Sequence, residues 1–117
     1  MKIGEFSKRS GLSIHTIHFY EKIGLIKNNS KDISGHRIYS EFDIEWANFI
    51  SCLKATGMTL KQIKYFILLR EKGKSTIPER LAIMKRQKIR LEEKISILSD
   101  YLSHIDYKIT NFDKILK

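Results

Sequence analysis

The side chains with most to offer a ligand fall in two short runs. Ser13, His15, Thr16, His18, Phe19 and Tyr20 form one, and His36, Arg37 and Tyr39 form the other. Hydroxyls, imidazoles and a guanidinium set among aromatic rings can hydrogen-bond, neutralise and stack, which is the chemistry of gripping phosphates and reading base edges. Taken singly, each of these residues could equally be a solvated surface side chain; as a set they point to a polyanion. They are poorly suited to making or breaking bonds. The sequence has no glycine-rich phosphate loop, metal-ligand spacing, nucleophile elbow or constellation of paired carboxylates, which argues against an enzyme and against any metal or other cofactor.

Composition agrees with a polyanionic partner. The 117 residues carry a formal charge of +9, with 12 basic and 7 acidic residues up to Lys72 and 10 and 6 after it, so both halves are basic. Hydrophobic residues at 42% and charged residues at 30% describe a chain that folds in water. The length suits one compact domain of about 70 residues plus an extended element. The single cysteine, Cys52, has no partner for an intramolecular disulfide, which fits a reducing compartment. With no apolar leader at the N-terminus and no stretch approaching a membrane span, a cytoplasmic location and no membrane partner are expected.

Periodicity and punctuation supply the elements that must position these groups. Ile3 to Ser10 reads as a short helix closed by Gly11, and Ser13 can cap a second helix over Ile14 to Ile23. On that second helix Ile14, Ile17 and Tyr20 should turn inward, leaving His15, Thr16, His18 and Phe19 on the other faces. Two short helices around a glycine turn form a helix-turn-helix, whose second helix enters the major groove. From Leu25 to Tyr39 the helical period is lost, and "NNSKDISGHRIYS" suggests a small β-hairpin that carries His36, Arg37 and Tyr39. Lys8, Lys27 and Lys31 would add nonspecific attraction through counterion release.

Three capping boxes follow. Ser40 with Asp43 opens a helix bearing Trp46, Phe49, Ile50 and Leu53, and Thr59 with Gln62 opens another bearing Ile63, Phe66, Ile67 and Leu69 or Arg70. Thr76 with Glu79, with Pro78 in the first turn, opens the last and longest. Its a positions are Leu81, Lys88, Ile95, Leu102, Ile109 and Leu116, and its d positions are Met84, Leu91, Leu98, Ile105 and Phe112. A 3-4 repeat held that long without Gly or Pro points to a coiled coil with a partner chain, since a core of this size cannot cover it. Lys88 in the seam would specify register or oligomer state.

The segments "IGEFSKRSGLSIHTIHFYEKIGLI", "SGHRIYSEFDIEWANFI" and "LKATGMTLKQIK" resemble the MerR family of regulators. The resemblance implies a mostly α fold: a winged helix-turn-helix over residues 1–72, then a linker and dimerisation helix over 73–117 that forms an antiparallel coiled coil. It implies a homodimer on double-stranded promoter DNA that bends and unwinds an overlong spacer, so that RNA polymerase engages both promoter elements. Thr16, Tyr20, Arg37 and Tyr39 match the family's DNA-contacting positions, and Tyr20 then faces phosphate as much as core. His15 and His18 depart from the pattern, which usually has arginines there, so phosphate or guanine contacts at these positions are in doubt. Strand direction is a second tension. The e positions hold Glu92, Asp106 and Asp113 and the g positions Lys94 and Lys108, which would pair well in a parallel coil, although Lys85 can meet the far-end acids in an antiparallel one.

No cysteine or histidine cluster of the metal-sensing kind follows the dimer helix, and no appended ligand domain is expected. The segment "FISCLKATGM" resembles the single-cysteine branch associated with aldehyde and thiol-electrophile stress, which would make Cys52 the sensor, its thiolate favoured by Lys54, Lys85 or His104. The competing reading is a small hydrophobe at a core edge. Two other functions stay open: a basic coiled-coil adaptor for acidic proteins, and an excisionase-like architectural protein, against which the heptads speak.

Overall fold

In the computed structural model the described residues are 1–27 and 30–115, with Asp113 and Ile115 described by backbone alone. Asn28 and Asn29 of the wing segment and Leu116 of the heptad repeat lie outside them, as does the side chain of Asp113. The helices are α1 (Ile3–Ser10), α2 (Ile14–Lys22), α3 (Glu41–Ala55), α4 (Leu60–Lys72), α5 (Ile77–Thr110) and α6 (Phe112–Ile115), with a 3-10 turn at Lys74–Thr76. The chain divides into two compact units, Met1–Arg80 and Leu81–Lys117.

Local chemistry explains the ends of the first four helices. Gly11 closes α1 in the left-handed region (φ 75°), where a side chain would be strained, and its N–H returns to Ser7 O at 3.0 Å. The Ser13 hydroxyl accepts from Thr16 N at 3.0 Å and so caps α2. Both capping boxes of α3 and α4 form: Ser40 N–H donates to Asp43 Oδ2 at 2.8 Å, and Thr59 N–H to Gln62 Oε1 at 3.0 Å.

The core of the first unit sits where α1 meets α2 and α3, and where α3 meets α4. Phe6, Ile17, Ala47, Ile50 and Ile63 are fully buried in it, and Leu25, Tyr39, Leu53 and Phe66 nearly so. At full burial, a side chain the size of Ile50 or Phe6 contributes about 1.5–3 kcal/mol. One departure from the sequence pattern is Ile14, expected inward but 45% exposed. A first-turn side chain tilts back toward the helix N-terminus, so it overhangs the turn rather than the core.

The wing is reduced relative to the hairpin expected. Among the described residues its pairing is one antiparallel bridge, Lys31 with Arg37, around a turn at Asp32–Gly35. The Asp32 carboxylate takes the His36 N–H at 2.9 Å and holds the turn by a side chain. That contact is the main reason the Asp32 carboxyl is held below its ordinary range. The base of the wing pairs instead with the chain start: Tyr39 N–H donates to Met1 O at 2.7 Å, and the Met1 ammonium donates to Tyr39 O at 2.6 Å.

The third expected capping box does not form, because both its members are engaged elsewhere. Thr76 is buried; its hydroxyl lies 2.6 Å from Leu69 O and 2.8 Å from Gly73 O, and it accepts from Arg80 Nε at 3.0 Å. Glu79 accepts from the Tyr65 hydroxyl at 2.5 Å, a bond that raises the Tyr65 pKa above its ordinary value. The 3-10 turn therefore runs directly into α5. The long helix also ends earlier than the repeat implied. Asn111 forms a turn, its amide donating back to Tyr107 O at 2.9 Å, and α6 follows. Within the second unit Leu91, Ile95, Leu98, Leu102, Ile105, Ile109 and Phe112 are exposed along α5 and α6, as is Leu81 at its first residue. Met84 is half-buried and Lys88 exposed.

Candidate nucleic-acid interface

The two faces of α2 differ sharply in burial. Ile17 is fully buried and Tyr20 is 3% exposed, anchoring the helix, while His15, His18 and Phe19 project into solvent and Thr16 is half-buried. Ser13 Oγ also donates to Thr16 Oγ1 at 2.9 Å, so these hydroxyls form one short chain at the helix start. Beside it Lys54 of α3 reaches the Tyr20 hydroxyl at 3.5 Å, with its Nζ 5.9 Å from the ring centroid. Gly11, Ser13, Thr16, Tyr20, Ser51 and Lys54 border an open hollow of about 370 Å³ here. A helix N-terminus with two hydroxyls and an ammonium is the chemistry of a phosphate contact. Tyr20 is buried at 3% exposure and lines the hollow.

The wing converges on the other end of α2. Arg37 Nη1 pairs with Glu21 Oε2, the Tyr39 hydroxyl lies 3.3 Å from both Glu21 oxygens, and His18 Nδ1 lies 3.5 Å from Oε1. The Glu21 side chain is only 7% exposed, whereas His18 and Arg37 are 62% and 42% exposed. Tyr39, matched by resemblance to a DNA-contacting position, is 1% exposed and stacks on Phe6 at 4.3 Å and 14°, which places its ring in the core. Burial, followed by the Glu21 charge and hydrogen bond, pushes its hydroxyl up to about 12. His36 is exposed at the wing tip, with Nδ1 3.6 Å from Asp32 Oδ2.

Sequence reasoning missed Glu21, and it set Lys54 beside Cys52 rather than Tyr20. Glu21 stands three residues after His18, a helical neighbour spacing, but nothing local shows that the wing folds back onto it. Lys54 carries no pattern; only the packing of α3 brings it to Tyr20. The three lysines expected to supply general attraction, Lys8, Lys27 and Lys31, are all exposed, and Lys27 is also paired with Glu71. A further clamp joins α1 to α3, with Arg9 donating through both terminal nitrogens to Glu41 at 2.6 and 2.5 Å. Cys52 is exposed on α3, away from the buried Ile50 and Leu53, and its carbonyl accepts from Thr56 Oγ1 at 2.9 Å. Lys54, one of the cations considered for its activation, is engaged at Tyr20. Among the described residues no group of three or more His, Cys, Asp or Glu could hold a metal, and no helix is long and apolar enough to cross a membrane.

A profile for MerR HTH family regulatory proteins matches residues 1–68, and a second, for the MerR DNA-binding region, matches residues 44–106. The chain belongs to the MerR family. An HTH-type transcriptional regulator of Haemophilus influenzae is 36% identical over 108 residues, covering 92% of this chain and 80% of its own. The crystal structure of a MerR family regulator from Listeria monocytogenes superposes with a TM-score of 0.86 at 32% identity, covering 99% of this chain and 88% of that one. HiNmlR, a MerR family regulator lacking the sensor domain and solved bound to promoter DNA, matches with a TM-score of 0.82 at 36% identity, over 93% of this chain and 86% of its own. The fold is accordingly the MerR winged helix-turn-helix followed by a long C-terminal helix, and the protein is a DNA-binding transcriptional regulator rather than an enzyme.

Proposed function

We propose that this MerR regulator binds a palindromic operator as a homodimer, residues 1–72 of each protomer reading one half-site and residues 73–117 pairing as an antiparallel coiled coil. The observation that carries the reading is the shared exposure of His15, His18 and Phe19 on α2 beside the half-buried Thr16, flanked by the Ser13 cap at one end and the Arg37 wing at the other. Side chains from the helix meet base edges, while Arg37 and the Ser13–Lys54 hollow hold phosphates. His36 extends the grip along the backbone, and Tyr39 supports the wing from beneath. Binding in an overlong promoter spacer and remodelling it would let RNA polymerase engage both elements.

Cys52 is the proposed sensor of a stress electrophile such as a small aldehyde. Its exposure on α3 supports this over a packing role, since an exposed thiol makes little core contact and meets small solutes freely. The binding reading is tested with labelled operator and scrambled duplexes over a range of salt. Arg37→Ala should weaken binding to both and lower the salt slope by about 1, whereas Thr16→Ala should change the preference between them. Unchanged binding in Arg37→Ala would remove the wing from the interface.

A further inference from the structure

We infer that Glu21 is the positioning residue of the reading head: a buried carboxylate that aims the Arg37 guanidinium and the His18 ring, so that wing and reading helix meet DNA as one piece. The inference rests on the proposed reading that Arg37 and α2 contact DNA. An acidic group on a DNA-facing surface needs a reason, because its charge repels phosphate. Glu21 has one in its geometry. Its side chain is 7% exposed, yet groups from two segments converge on it: Arg37 Nη1 and the Tyr39 hydroxyl donate from the wing, and His18 Nδ1 of its own helix lies 3.5 Å from Oε1.

The wing requires such a tie. Backbone pairing across its described residues centres on the bridge of Lys31 with Arg37, which holds the main chain and leaves the direction of a long arginine side chain to that side chain's own contacts. Glu21 stands in the last turn of α2, one residue from the buried Tyr20, so it is held by the core rather than by solvent. Tyr39 is rigid for the same reason, stacked on Phe6 and paired with Met1 through the backbone. A carboxylate fixed at that place turns a flexible guanidinium into an oriented one, because the planar fork cannot turn without breaking the pair. The groups facing the carboxylate include Arg37 from the wing, the His18 ring from the preceding turn of α2 and the neutral Tyr39 hydroxyl behind it, on which Asp43 of α3 also acts.

A plain charge argument and the positioning argument give opposite signs for Glu21→Gln. Removing a negative charge from a DNA-binding face should strengthen binding to every duplex. Removing the anchor should weaken operator binding more than scrambled-duplex binding, because the phosphate contact of Arg37 serves both while the His18 ring loses its aim at base edges, so the ratio between them falls. The experiment measures both affinities for the 117-residue chain and its Glu21→Gln, Arg37→Gln and doubly substituted forms, with thermal melts to show that each is folded. The positioning role expects operator affinity to fall about tenfold in Glu21→Gln, with no comparable loss on scrambled DNA. It also expects the double variant to lose less operator affinity than the two single losses combined, because Glu21 acts in part through Arg37. Uniformly stronger binding in Glu21→Gln would overturn it, as would fully additive losses in the double variant. If Arg37→Gln binds the operator normally, the wing reading and this inference fall together; if Arg37→Gln is impaired while Glu21→Gln is not, only the inference falls.

Discussion

Truncating the seam of the dimer helix gives the sharpest numerical prediction. Leu98 stands near the middle of the run from Leu81 to Phe112 and is 65% exposed in the single chain. Complete burial of a leucine is worth about 1.5–3 kcal/mol, so covering that exposed fraction contributes about 1–2 kcal/mol per protomer. A homodimer holds two copies, and Leu98→Ala should therefore cost about 2–4 kcal/mol of association, raising the dimer Kd roughly 30- to 700-fold. Alanine favours helix more than leucine does, so the loss should not come from unwinding α5. Tyr107→Ala is the control, since Tyr107 is 63% exposed but lies off the a and d positions. Sedimentation equilibrium over a wide concentration range reads the Kd, and circular dichroism checks helix content. The reasoning fails if Leu98→Ala and wild type dissociate alike, or if Tyr107→Ala weakens the dimer as much as Leu98→Ala does.

Other perturbations have defined outcomes. The Tyr39 hydroxyl ionises at about 12 when folded, against about 10 in an unfolded chain. Between those values the unfolded state releases its proton while the folded state keeps it, so stability should fall as pH rises from 10 to 12, by about 2 kcal/mol at most; in Tyr39→Phe that part of the alkaline decline should be absent from urea titrations. Thr59→Ala removes the hydroxyl that accepts from Gln62 N at 3.1 Å and should lower stability by about 1 kcal/mol in the same assay, without changing operator affinity. Exposed Cys52 should take up one adduct under formaldehyde or methylglyoxal, seen by intact mass, and aldehyde-dependent transcription in vitro should vanish in Cys52→Ala. No adduct at inducing concentrations would return Cys52 to a structural role.

Much of this protein was legible in its sequence because the signals are local. A Ser or Thr with an Asp or Gln three residues on fixes a helix start within one turn of chain, and α3 and α4 begin where those pairs stand. Gly11 ends α1 for an equally local reason, and the 3-4 repeat marked α5 and its exposed stripe without reference to the rest of the molecule. The family followed from runs of residues rather than from geometry. The tertiary structure decided matters in which distant groups compete for the same atoms. Thr76 and Glu79 had the spacing of a capping box, but Leu69 O, Gly73 O and the Tyr65 hydroxyl lay closer to hand once α4 was packed. Tyr39 read as a DNA-facing side chain, yet its ring found Phe6. The Glu21 cluster joins residues 16 and 18 positions apart, and the Lys54–Tyr20 contact spans 34. A short sequence window carries propensity, capping and periodicity; which side chains meet across a core depends on packing, and only the folded chain contains that information.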